Sequence, residues 1–198
     1  MNKQNFDNQM QQIILELDGQ KPKLLLHSCC APCSTAVIER LKEYFNLSVF
    51  YYNPNIDDKE EYQKRLLEQK KFCDKFSIEV VEGDYNVDEF YSAVKTLEDC
   101  PEGGKRCFKC YELRLKNTAI KAKELGYDYF TTTLSISPLK NADKLNEIGL
   151  MLEREFKVRY LPSDFKKRNG YLRSIALSKE NGLYRQDYCG CSFSKKEK

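Results

Sequence analysis

The chain has 198 residues, 33 Lys and Arg against 30 Asp and Glu for a net charge of +3, and 41% apolar residues. One domain with a real core fits these counts, and wholesale disorder does not. A single His excludes a two-Cys, two-His zinc finger; the polar start and the lack of an apolar run near ~20 residues argue against export or a membrane span, so a cytoplasmic chain is expected.

Residues 1–20 read as an amphipathic helix, with Met10, Ile13, Ile14 and Leu17 at helical spacing and Gly19 where a helix often stops. The apolar run 23–28 (KLLLHS) predicts a strand, and helical periodicity follows over 34–44 through Val37, Ile38 and Leu41. Residues 47–52 (LSVFYY) predict a second strand, closed by Asn53-Pro54-Asn55, and 60–76 a charged helix with Leu66, Leu67, Phe72 and Phe76 inward. A third strand is expected over 78–81 and helices over 87–97 and 110–125, the latter ending at Gly126. Residues 129–136 (YFTTTLSI), rich in β-branched and aromatic side chains, predict a fourth strand stopped by Pro138. A helix over 141–155, a strand over 157–161, a helix over 171–180 and a flexible basic tail over 192–198 complete the chain. Strands alternating with helices predict one α/β domain over 1–198, a mostly parallel sheet with helices on both faces and ligands at the carboxyl ends of its strands.

Seven of the nine Cys are clustered: Cys29, Cys30 and Cys33 form CCxxC, Cys107 and Cys110 form CxxC, and Cys189 and Cys191 form CxC. In a cytoplasmic chain such groups point to metal or redox chemistry, whereas Cys73 and Cys100 read as buried apolar residues. Structural zinc and an iron–sulfur cluster each commonly take four ligands, so seven thiols exceed one closed site and leave a second metal or a redox pair to be accommodated. Cys30-Ala31-Pro32-Cys33 between a strand and a helix also fits a thioredoxin-like thiol–disulfide oxidoreductase. A structural zinc module that binds nucleic acid is a third reading. Spacing does not divide the thiols between centres.

Four ordered blocks carry a resemblance: His27-Ser28-Cys29-Cys30-Ala31-Pro32-Cys33, then Arg106-Cys107-Phe108-Lys109-Cys110-Tyr111 followed by Arg114-Leu115, then Thr132-Thr133-Leu134-Ser135-Ile136-Ser137-Pro138, and Tyr184-Arg185-Gln186-Asp187-Tyr188-Cys189-Gly190-Cys191. With Asp164-Phe165-Lys166-Lys167-Arg168 between the last two, the chain from about Leu24 to Cys191 resembles the cobalamin-independent epoxyqueuosine reductases, QueH. The resemblance implies a nucleotide-hydrolase-like (HUP-like) α/β sandwich and reduction of the epoxide of epoxyqueuosine, at the tRNA wobble position, to the alkene of queuosine. It further implies that Cys29, Cys30, Cys107 and Cys110 hold a [4Fe-4S] cluster and that Cys189 and Cys191 form a redox-active pair or ligate a nearby metal. Cys33 is assigned to a second metal, a mononuclear iron.

The reaction needs two electrons and protons, and the chain has no GxGxxG fingerprint for a flavin or nicotinamide. Electrons must therefore enter through metal or thiols from an external donor. His27, two residues before Cys29, is a candidate to donate a proton or orient a ligand, against the plainer reading of a packed core His; Asp187 and Tyr188 are the alternative acids. Phosphate contacts to tRNA are expected from Lys105, Arg106, Arg114, Lys166, Lys167, Arg168, Arg173 and Arg185, and base stacking from Tyr111 and Tyr184.

Overall fold

The computed structural model describes residues 4–195. In chain order the elements are α1 (Phe6–Glu16), β1 (Lys23–His27), α2 (Ala31–Leu41), β2 (Asn46–Tyr51), α3 (Lys59–Asp74), β3 (Val80–Glu82), α4 (Val87–Val94), α5 (Lys105–Glu124), β4 (Tyr129–Thr132), α6 (Ala142–Phe156), β5 (Arg159–Tyr160) and α7 (Gly170–Glu180). Short 3-10 turns occupy Thr133–Ile136 and Ser192–Ser194. The strands form one five-stranded sheet in the order β3-β2-β1-β4-β5, and every pairing is parallel.

Alternation along β1 explains the two cores. Leu24 and Leu26 point to one face, where they pack with Val37, Ile38 and Leu41 of α2 and Phe72 of α3. Leu25 points to the other, with Leu115 of α5, Phe130 of β4 and Ile148 and Leu152 of α6. All three β1 leucines are fully buried, each contributing roughly 2 kcal/mol to stability. A strand buried on both faces is continuously apolar, which is why KLLLH was legible as one.

Several expectations need correction. The run 129–136 is not one strand: the Thr132 hydroxyl accepts from the Leu134 N–H, and the chain turns into 3-10 geometry after only four strand residues. Helix α5 begins at Lys105, five residues before the expected start at 110. Leu67 and Phe76 of the α3 region face outward, 54% and 41% exposed, because the buried face of α3 runs through Tyr62, Leu66, Gln69, Phe72 and Cys73. Residues 192–194 are not a flexible tail: Ser194 is buried and the Phe193 ring packs near Phe90 and Tyr91. Lys195 is exposed, and residues 196–198 of the expected tail and the first three of the expected 1–20 helix lie outside the described residues.

Candidate metal centre

The carboxyl ends of β1, β2 and β4 meet the first turns of α2 and α5 and the C-terminal segment 183–195. β1 ends at His27, and the chain turns through Ser28 to Cys30, the residue that caps α2. The Ser28 hydroxyl donates to Gln69 Oε1 at 2.7 Å, and Asn53 Nδ2 donates to the Ser28 carbonyl at 2.9 Å. Held this way, the sulfurs of Cys29, Cys30 and Cys33 all lie within 4.8 Å of one another. The first two turns of α5 carry Cys107 and Cys110, which share a cavity with Cys189 and Cys191 of the C-terminal segment. The structure therefore brings the seven clustered thiols to one edge of the sheet as a set of three and a set of four. Cys73 and Cys100 are in neither set, and Cys73 is fully buried in the first core, as expected of an apolar Cys.

Arg114, one turn beyond Cys110 on α5, contacts that thiol of the second set and His27, two residues before the first set. Its Nε donates toward His27 Nε2 at 3.3 Å, its Nη2 to Asn53 Oδ1 at 2.6 Å and its Nη1 toward Cys110 Sγ at 3.9 Å. At 1% exposure it is out of reach of a phosphate backbone, so the expectation of a tRNA contact is corrected. Tyr111, also 1% exposed, is no stacking platform; its ring packs in the second core, its hydroxyl has no hydrogen-bond partner among the described residues, and the residue lines the four-thiol cavity. Arg106 is buried too and donates to the carbonyls of Glu98 and Cys100.

His27 is fully enclosed between Thr132 Oγ1, 2.9 Å from Nδ1, and the Tyr52 carbonyl, 3.1 Å from Nε2. Burial, aided by the Arg114 guanidinium, pushes its pKa down to about 3. A neutral, walled-in imidazole is the plainer of the two expected readings: it positions its neighbours.

The thiols differ from one another. Hydrogen bonds from Cys30 and Cys33 pull the Cys29 thiol well below its ordinary range, while Cys30, on the other side of that interaction, is pushed up to about 12. Thioredoxin-type chemistry needs the opposite, an activated first thiol in the CxxC. Burial pushes Cys110 up to about 11 against the pull of Arg114.

Sequence reasoning passed over four residues. Lys140, in the loop after β4, is 8% exposed with Nζ 3.0 Å from Cys189 Sγ; burial alone would lower its pKa, but the adjoining sulfur outweighs this and raises it. Arg65 Nη1 donates to the Cys189 carbonyl at 3.1 Å, and Gln186 Nε2 to Cys30 Sγ at 2.9 Å. Asn53 orients Arg114. Gln186 lies inside the Tyr184–Cys191 block, Asn53 in the stop after the second strand and Lys140 two residues after the Thr132–Pro138 block, whereas Arg65 carries no such signal.

Among the other expected tRNA contacts, Lys166 pairs with Asp164 at 2.7 Å, Arg168 with Asp7 at 2.8 Å and Arg173 with Glu39 at 2.7 Å, whereas Lys167 is exposed without an ion pair among the described residues. One face of the Tyr184 ring is covered by Lys64 Nζ, 3.4 Å from its centroid, and Arg185 and Asp187 are exposed.

A soft, all-sulfur donor set suits iron–sulfur or zinc centres. Comparison with known proteins decides the family. The family model "Epoxyqueuosine reductase QueH" matches residues 24–197. The chain is 42% identical over 200 residues to the epoxyqueuosine reductase QueH of Streptococcus pyogenes serotype M1, covering 97% of this chain and 78% of the relative. This chain belongs to the QueH family. QueH of Staphylococcus epidermidis is 44% identical over 200 residues, covering 96% of this chain and 84% of that one, and QueH of Thermotoga maritima is 40% identical over 174 residues, covering 86% and 89%. As a QueH-family member the chain is an oxidoreductase. The U34-tRNA thiolase NcsA from Methanococcus maripaludis, solved with its [4Fe-4S] cluster, superposes with a TM-score of 0.59 at 14% identity over 96% of this chain and 67% of that one. That likeness bears out the expected fold class, an α/β sandwich with a mostly parallel sheet, which here is parallel throughout. No helix among the described residues is long and apolar enough to cross a membrane.

Proposed function

We propose that this chain reduces epoxyqueuosine at the tRNA wobble position to queuosine, using an iron–sulfur centre held by its clustered thiols. The reaction takes two electrons and two protons, breaks both epoxide C–O bonds, leaves an alkene and releases water. The observation that carries the reading is the convergence of the three cysteine groups, remote in sequence, on the carboxyl edge of one sheet. Among the described residues these seven thiols are free and none is hydrogen-bonded to a carboxylate, which fits a sulfur-ligated centre.

In the arrangement we favour, Cys29, Cys30, Cys107 and Cys110 hold a [4Fe-4S] cluster, Cys33 serves a second iron, and Cys189 and Cys191 form a redox-active pair or further ligands. Such a centre supplies single electrons from an external donor and a Lewis acid for the epoxide oxygen. The polypeptide does the rest. Lys140 and Tyr111, both on the wall of the four-thiol cavity, offer an ammonium and a hydroxyl donor to hold an oxygen there. The segment 183–195 closes the site from water, held by Arg65 on the Cys189 carbonyl and by Asp57, which accepts the Ser192 N–H at 2.8 Å. Asp187, exposed on that segment, and its half-buried neighbour Tyr188 are the remaining acids of those expected from sequence. Lys166, Lys167 and Arg168, at the neighbouring β5–α7 loop, with Arg185, give phosphate contacts, Lys167 with its charge fully available.

Anaerobic reconstitution with iron and sulfide, then incubation with epoxyqueuosine-containing tRNA and dithionite, tests this. Queuosine is expected only from the metal-loaded protein. A preparation that stays colourless and iron-free, or that forms queuosine equally well without metal, overturns it.

A further inference from the structure

Arg114 is a fully buried cation with no carboxylate partner among the described residues. Among the described residues its side-chain contacts are the ring of His27, the side-chain amide of Asn53 and the sulfur of Cys110. The buried Arg65, by contrast, has its own carboxylate, Glu61, at 2.7 Å. A guanidinium removed from water without a compensating anion is among the most costly groups a fold can contain. The groups around it that can carry negative charge are thiols: Cys110 in contact, with Cys29 and Cys189 close enough for their charge to be felt at Arg114. These come from three different segments, and Arg114 is the group common to them.

Resting on the thiol–iron reading above, we propose that Arg114 is the counter-ion of an anionic centre formed by both thiol sets, a positioning residue that sets the centre's reduction potential. Adding one electron makes such a centre more negative, and a fixed positive charge beside it favours the reduced form. Asn53 and His27, from the ends of β2 and β1, hold the guanidinium in that place. The fork would thus fix the distance between the Cys29 turn and the Cys110 helix as well as the charge between them.

The test uses the reconstituted protein and its Arg114→Gln and Arg114→Lys variants, with iron and sulfide per chain measured first and the midpoint potential then read by dithionite titration followed by EPR. At matched iron content, Arg114→Gln is expected to move the potential to more negative values and Arg114→Lys to recover most of the shift. An unchanged potential in a fully loaded Arg114→Gln protein overturns the proposal, as does an Arg114→Lys shift as large as that of Arg114→Gln. Should Arg114→Gln fail to fold or load, Asn53→Asp gives the same readout, because it sets a carboxylate at the position now 2.6 Å from Nη2 and offsets the cation from behind. A negative shift supports the counter-ion, and no shift overturns it. Wild-type protein that takes up no iron refutes the proposed function itself, a result separable from any difference between variants.

Discussion

Replacing Gly190 by Ala tests whether the C-terminal segment is clamped over the thiol centre. Gly190 lies between Cys189 and Cys191 with φ +121, a conformation L side chains rarely adopt, and a Cβ there would stand 2.8 Å from Ile56 Cγ1 and 3.2 Å from Arg65 Nη1. The backbone strain costs on the order of 1–3 kcal/mol and the overlap typically 1–3 kcal/mol more, so about 2 kcal/mol is a lower bound. Arg65 cannot yield cheaply, because its Nη1 holds the Cys189 carbonyl. The segment has an easier escape. It is attached by Arg65, Lys140 and Asp57, by Glu68 on the Tyr184 N–H, by Gln186 on Cys30 and by Phe193 against Phe90 and Tyr91, all outside the strands, so it can undock without disturbing the sheet.

A 2 kcal/mol penalty taken up locally raises the population of the undocked form roughly 30-fold. Hydrogen exchange over residues 184–195 and alkylation of Cys189 and Cys191 in the metal-free protein should therefore accelerate by at least about that factor, while Tm barely moves. If the strain were instead shared by the whole fold, Tm would fall by roughly 4–8 °C for a chain of this size and exchange over that segment would rise no more than elsewhere. That pattern, or unchanged exchange and alkylation, would refute the clamp.

Lys140→Met should abolish or strongly reduce turnover while iron uptake and Tm stay near wild type, as measured by single-turnover queuosine formation beside iron analysis; wild-type turnover would remove Lys140 from the site. Lys167→Glu should weaken tRNA binding and lower the slope of log K against log salt by about 1, checked by filter binding over a salt series, and an unchanged low-salt affinity would take the β5–α7 loop out of the interface. Gly149→Ala places a Cβ inside the ring of Tyr160, and net of the better helix propensity of Ala it should cost about 2 kcal/mol, lowering Tm by roughly 4–8 °C in a thermal melt.

What the sequence made legible were features with a local cause. KLLLH reads as a strand because both of its faces are buried, and the cysteine groups stand out because thiols at close spacing are rare. What it hid has tertiary causes. The start of α5 was read late because Gly104 caps it without a side-chain hydrogen bond and its first turn, KRCFK, is mostly polar. Residues 129–136 have the composition of a strand, and only the Thr132 hydroxyl's bond to the Leu134 N–H turns the chain out of it. Arg114 and Tyr111 invite a reading as tRNA contacts because they adjoin the cysteine groups. Their burial follows from packing against β1, β2 and β4, which no window of the sequence contains.

The convergence of remote cysteines follows from the topology. In a parallel sheet every strand ends on the same edge, and a crossover helix runs back against its strands, so it starts where the preceding strand ended. Cys29 and Cys30 follow β1, and Cys33 lies in the first turn of α2. Cys107 and Cys110 lie at the start of α5, within the connection from β3 to β4, and Lys140 lies in the loop after β4. All are therefore at the carboxyl edge, whatever their separation in sequence. With the order β3-β2-β1-β4-β5, the chain leaves β1 toward β2 and returns on its other side at β4, so connections part above β1 and open a crevice there. The buried cation Arg114 and the neutral His27 form the base of that crevice, and the last segment of the chain lies over it. Cys189 and Cys191 are the exception, since no strand delivers them. Their position depends on the clamp made by Arg65, Lys140 and Asp57. Loosening that clamp should thus displace these two thiols while Cys29, Cys30, Cys33, Cys107 and Cys110 keep their places.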